Sequence, residues 1–184
     1  VDQNGDGKID STNDYISYGS SDPAFYGGLG NTFSYKGFEL DAFFYFVKRP
    51  YARGLLWNYF RPIGNMYNAP RYLVDRSWRS PEDPRTLPRL SAATSGAFYT
   101  AYANRYGSST ATMDDASFIR LRNLSIAYTV PARHTERLKI NNLRVYALGQ
   151  NLLTWTKFLG TDPETGSTTT PLQTIYTLGI NLSL

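Results

Sequence analysis

The 184-residue sequence has no cysteine and one histidine, and these two scarcities remove much of the usual site chemistry. Without cysteine there is no disulfide scaffold and no thiolate metal site, an absence compatible with a protein that works outside the cytoplasm. His134 stands alone, which argues against a His-based metal centre or a catalytic triad within this chain. No apolar run approaches the roughly 18 to 20 residues of a membrane-spanning helix. The start at Val1 shows no basic segment, apolar core or cleavage site. The missing leader suggests that an N-terminal part is absent. Charge of one sign is also scarce: 19 basic and 15 acidic residues are interspersed, without the block of like charge that marks a nucleic-acid arm.

What is abundant is aromatic surface and alternation. Tyr and Phe number 15 and 10, while only 18% of residues are charged, too many rings for a disordered chain. Five segments alternate with period two, the mark of strands with unlike faces. In the clearest, Tyr176, Leu178, Ile180, Leu182 and Leu184 fall on one face, and Thr177, Gly179, Asn181 and Ser183 on the other. Leu143, Val145, Ala147 and Gly149 form a second apolar stripe, and Leu124, Ile126, Tyr128 and Val130 a third. Arg120 and Arg122 share that third parity, so a lipid-facing strand would have to lift them above the hydrocarbon or let them snorkel, since a midplane Arg costs about 2–4 kcal/mol. Phe25–Tyr35 and Phe38–Lys48 make the last pair, joined by Lys36-Gly37, with Phe38, Leu40, Ala42, Phe44 and Phe46 opposite Glu39 and Asp41.

A barrel with lipid outside and a wet lumen inside suits this pattern, and it explains the lack of long apolar runs. The expected fold class is therefore all-β, with antiparallel strands of a transmembrane β-barrel. Connections alternate between short and long. The expected divisions are an acidic loop at 1–23, a strand hairpin at 24–48, a long loop at 49–115, a second hairpin at 116–153, a loop at 154–173 and a terminal strand at 174–184. A periplasmic C-terminus would place both long loops outside the cell, as bacterial barrels are built. Within 49–115, Pro70 suits the first turn of a short helix over Ala69 to Val74.

Five phrases, in order, carry a family resemblance over essentially the whole chain. They are Asp2-Gln3-Asn4-Gly5-Asp6-Gly7-Lys8-Ile9-Asp10, then Asn31 to Leu40, Asp75 to Pro84 with its Trp, Pro and Glu, Ala116 to Leu124, and Leu143 to Leu152. Together they resemble the C-terminal part of SusC/RagA family transporters. The resemblance implies a barrel of about 22 strands closed by an N-terminal plug. It also implies uptake of glycan or peptide oligomers, energised by TonB, with a SusD-like surface lipoprotein as lid. Five strands alone would be an open sheet with two unpaired edges. Barrel proteins commonly end on an aromatic residue, and Leu184 departs from that habit. The competing reading is a secreted, calcium-binding β-module that recognises glycans.

Other chemistry is sparse. Asp2, Asn4, Asp6, the Lys8 carbonyl and Asp10 occupy the first five ligand offsets of a calcium loop, with Gly7 at the sharp turn. Asn13 stands where the bidentate Glu belongs, followed by Asp14, and the whole stretch also reads as an Asx- and Gly-rich turn that needs no ion. Asn13 and Asp14 complete the candidate metal set, and a structural Ca2+ is the only cofactor expected. Glu39 with Asp41, and Asp114 with Asp115, are carboxylate pairs without a recognisable cleft, so no catalytic residue is expected. Trp57, Trp78, Tyr99 and Tyr102 are the candidate substrate contacts in the long loop, because ring faces stack on sugars. Such rings equally pack a loop or form an interfacial girdle.

Overall fold

A computed structural model describes residues 2–54, 68–84, 87–102, 108–136, 139–166 and 170–183. In chain order the elements are β1 (Phe25–Tyr35), β2 (Phe38–Lys48), β3 (Ala52–Arg53), α1 (Arg71–Arg76), α2 (Gly96–Ala101), β4 (Met113–Asp114), β5 (Phe118–Thr129), α3 (Ala132–Thr135), β6 (Asn142–Thr156) and β7 (Ile175–Ser183). The five long strands form one antiparallel meander in the order β1-β2-β5-β6-β7. β3 and β4 pair separately at the root of the long loop.

Local chemistry explains the joints. Lys36 and Gly37 both take positive φ, 46° and 88°, the two-residue hairpin turn whose twist matches that of its strands. A Cβ at residue 37 would lie 2.8 Å from the Thr129 carbonyl oxygen, so the tight approach to β5 also requires glycine. Pro131 precedes the short α3 turn, in which the Thr135 carbonyl accepts from the Ile140 N–H. α1 starts one residue after Pro70 and runs to Arg76, two residues beyond the stretch read from sequence. Its Leu73 packs with Leu87 in a small loop core.

Register brings the separate stripes into one surface. Leu182, Leu143 and, further along, Leu178, Ala147, Ile126 and Leu40 are cross-strand neighbours in successive pairs. Phe33 continues the row on β1. This surface is exposed to an extent that water does not tolerate in a folded sheet: Leu178 is 83% exposed and Ile180 66%, alongside Leu29, Phe33, Ile126 and Val145. A contiguous apolar face of this breadth demands an apolar neighbour.

One expectation about faces is corrected. Continuing β5 by strict alternation puts Arg120 on the apolar stripe, but Arg122 is an extra residue against β2, where the register steps from Phe43–Asn123 to Phe44–Leu121. Such a bulge shifts the side-chain parity of everything beyond it. Leu121 and Ile119 therefore carry the apolar stripe onwards, and Arg120 turns to the other face opposite Tyr45 and Thr154. β6 accommodates the step with Asn151 at φ 52°, a conformation Asn adopts more readily than most residues. The Asn151 amide then donates to the Gln173 carbonyl and its own carbonyl accepts from the Thr174 hydroxyl, fixing the return of the chain into β7.

Candidate functional site

The face opposite the apolar stripe is where the sequence places its polar side chains. Thr32 donates to Asp41 across β1 and β2. Arg144 on β6 forms an ion pair with Glu39 on β2, across β5, and Ala127, which lies in register between Glu39 and Tyr146, is almost fully buried. The ring of Tyr146 covers Gly179, and that of Phe43 covers Gly28, so these glycines give the rings room to lie flat on the sheet.

At the loop end of the same face lies a buried charge cluster. Arg120 is 1% exposed. It donates through Nη2 to Asp162 and through Nη1 to Glu164, both at 2.8 Å, and through Nε to the Thr154 hydroxyl at 2.9 Å. Arg122 adds a 3.4 Å contact to Glu164 while its guanidinium lies over the Tyr45 ring, 4.9 Å from the centroid. Asp162 in turn accepts the N–H groups of Glu164 and Thr165 and pairs with Gly166 through the backbone. Arg49 reaches the Pro163 carbonyl. The segment 157–166 is thus folded inward and pinned to the sheet by charge, with its own Phe158, Asp162 and Pro163 buried.

Burial pushes the Asp162 carboxyl up, but the Glu164 N–H, the Arg120 guanidinium and the Thr165 N–H outweigh it, and the net position is below the usual value. A depressed carboxylate stabilises the folded loop above its unfolded pKa of about 3.9 and loses that contribution as pH falls through the folded value. The loop should therefore stay anchored at neutral pH and open only in acid, below about pH 4. Hydrogen exchange of the Glu164 and Thr165 amides in the full-length protein, followed from pH 7 down to 3, would show their protection holding and then falling. Protection lost already near pH 6 would contradict the pairing.

The sequence candidates fall elsewhere. Asp2 accepts from the N–H groups of Gly5 and Gly7, Asn4 from Asp6, Asp6 from Lys8, and Asp10 from Thr12 and Asn13. Asp14 is buried and accepts from Gln3 and Asp10 at 2.7 Å each, which holds its carboxyl below the ordinary range. This is a chain of nested Asx turns. Among the described residues no three His, Cys, Asp or Glu side chains are placed to share a metal ion. Trp78 is half-buried after α1, its backbone N–H donating to the Leu87 carbonyl. Tyr99 is half-buried in α2, and Tyr102 is buried with its ring 6.3 Å from that of Phe98. Trp57 lies outside the described residues. Exposed His134 accepts from Arg133. The Arg120 cluster escaped sequence reading because its acids sit 42 and 44 residues downstream.

No protein-family model matches the chain. Among curated proteins of Formosa agariphila, the chain is 34% identical over 171 residues to TonB-dependent receptor P26 and 30% identical over 166 residues to TonB-dependent receptor P3. Each match takes in 89% of this chain but only 16% and 15% of the relative, so the chain spans about a sixth of their length. The RagAB peptide importer in its open-open state superposes with a TM-score of 0.69 at 27% identity, covering 96% of this chain and 19% of that one. The RagAB peptide transporter gives 0.68 and 28% over 89% of this chain and 17% of the other. These relatives are receptors and importers, not enzymes. The broad apolar face, the polar face behind it and these likenesses agree: the chain belongs to the SusC/RagA-like TonB-dependent receptors, as a stretch of their antiparallel outer-membrane barrel.

Proposed function

We propose that the intact protein imports glycan or peptide oligomers across the outer membrane, drawing energy from TonB and working with a SusD-like lipoprotein lid. This chain would supply the C-terminal wall of the barrel, with the 49–117 and 157–174 connections on the outer side and the Lys36-Gly37 and Pro131–Asn142 turns on the periplasmic side. What carries the reading is the match of nearly the whole chain to a peptide importer. The polar face fits it, because Glu39, Arg144, Asp41 and Thr32 offer both charges and hydroxyl groups to a hydrated solute. A peptide is the favoured cargo, since the structural neighbours import peptides. Deleting the parent gene should abolish growth on one oligomeric nutrient while hydrolysis at the cell surface continues. Lost hydrolysis with normal uptake of the products would point to an enzyme instead.

The acidic loop carries a second, smaller proposal: on rearranging from its nested turns, so that their oxygens converge, Asp2, Asn4, Asp6, Lys8 through its carbonyl, and Asp10 hold one structural calcium, with Asn13 or Asp14 closing the set. Spacing supports it, as do Gly5 and Gly7 at φ 75° and 78°, which allow the tight turn such a loop needs. A carboxylate oxygen that accepts one N–H still has a lone pair for a cation. Without the bidentate Glu the affinity should fall in the extracellular range, about 10⁻⁴ to 10⁻³ M. Calorimetry on the full-length receptor should lose one calcium site in Asp6→Ala; unchanged isotherms would reduce the loop to its turns.

A further inference from the structure

At the loop end of the sheet the apolar face is indented by a shallow, open groove of about 570 Å3. Four neighbouring strands build its floor: Phe25 of β1, Phe46 of β2, Ile119 of β5 and Trp155 of β6. Phe46 is the register partner of Ile119, and Ile119 that of Trp155, so all three lie on the lipid-facing stripe. Phe25 packs edge-on to Phe46, with ring centroids 6.5 Å apart. Above this floor the character changes abruptly. Lys48, Asp115 and Lys157 stand on the rim, and Lys48 is paired with Asp115 at 3.2 Å. Lys157 is exposed and makes no hydrogen bond or ion pair among the described residues. The rim therefore carries one uncompensated positive charge directly above an apolar floor.

The geometry points to a seat for one anionic membrane lipid, its acyl chain over Phe46, Ile119 and Trp155 and its phosphate on Lys157. The floor residues Phe46, Ile119 and Trp155 belong to the apolar stripe, so the groove is reached from the lipid side; Val47, Phe118 and Thr156, of the opposite parity, complete its lining. An occupant from the membrane must be apolar below and polar above. The unpaired lysine selects a negative head, and an indole at the boundary is amphipathic in the same sense. This inference rests on the reading of the apolar face as lipid-facing.

Native mass spectrometry of the full-length receptor in neutral detergent provides the test, with phosphatidylglycerol and phosphatidylcholine of equal chain length as probes. Wild type should retain the anionic lipid about fivefold better, the preference that one lysine near a charged surface supplies. Lys157→Gln should bring the two lipids level, and Trp155→Ala should weaken both. Equal retention by wild type, or an unchanged preference in Lys157→Gln, overturns the proposal. So does displacement of the lipid by glycerol phosphate at matched concentration, which would show a headgroup site without a chain. A receptor that is monodisperse without any detergent would instead sink the membrane reading itself.

Discussion

Replacing Arg120 by alanine should free the 157–166 loop and destabilise the wall by about 3–5 kcal/mol. The size follows from what is left behind. Asp162 and Glu164 would remain in a pocket with side chains only 7% and 27% exposed, having lost the cation that makes their burial tolerable. A buried pair need not stabilise relative to an apolar replacement, but a buried charge stripped of its partner is costly. The loop should respond first, because the ties it keeps are weaker: the 3.4 Å Arg122 contact to Glu164, the Arg49 contact to Pro163 and the side chain of Phe158. In the full-length receptor, trypsin cleavage after Lys157 should accelerate by about tenfold or more, reporting the rise in the open population. Restoring neutrality separates charge from packing. The triple change Arg120→Met, Asp162→Asn and Glu164→Gln should recover most of the lost stability, whereas Arg120→Met alone should not. If Arg120→Ala cleaves at the wild-type rate, the cluster does not hold the loop.

The second large effect concerns the apolar face. Leu178→Arg places a cation at the most exposed position of the stripe, among Ala147, Ile126 and Leu40 in the same row. Near the midplane of a bilayer this costs about 2–4 kcal/mol. Thr177→Arg, one residue away, puts the same charge on the polar face beside Leu148 and in the row of Asp41, where water and a carboxylate accept it. Unfolding of the full-length receptor in lipid vesicles should therefore separate two adjacent substitutions of identical chemistry by most of that figure. Equal losses would mean that the two faces do not differ in solvent.

Much of this architecture was legible because a period of two is imposed residue by residue. The bounds of β1 and β2 follow from their alternation and from a turn in which only Lys36-Gly37 stands between them. β6 ran three residues past its expected end, to Thr156, since Thr154 and Trp155 continue the ladder with Arg120 and Ile119. The site was less legible. A bulge leaves no signature in composition, so the face taken by Arg120 could not be read from its parity. Nor could its partners, because Asp162 and Glu164 are drawn in by the fold and lie in a loop with no periodicity of its own. The acidic loop shows the converse: its spacing was plain, yet that spacing serves nested turns as well as it serves an ion. Aromatic residues of the long loop gave no directional signal either, since a ring such as Tyr102 is equally at home stacked on a ligand or packed on Phe98.

The central claim is that one face of this sheet meets lipid and the other meets water. A cysteine-free version of the full-length receptor, with single cysteines introduced in turn from Ile175 to Ser183 and spin-labelled in bilayers, tests it most directly. Positions 176, 178, 180 and 182 should show high collision rates with oxygen, which concentrates in lipid, while 177, 179, 181 and 183 should favour a water-soluble nickel chelate. A profile without two-residue alternation, or with every position open to the chelate, would contradict the membrane wall described here.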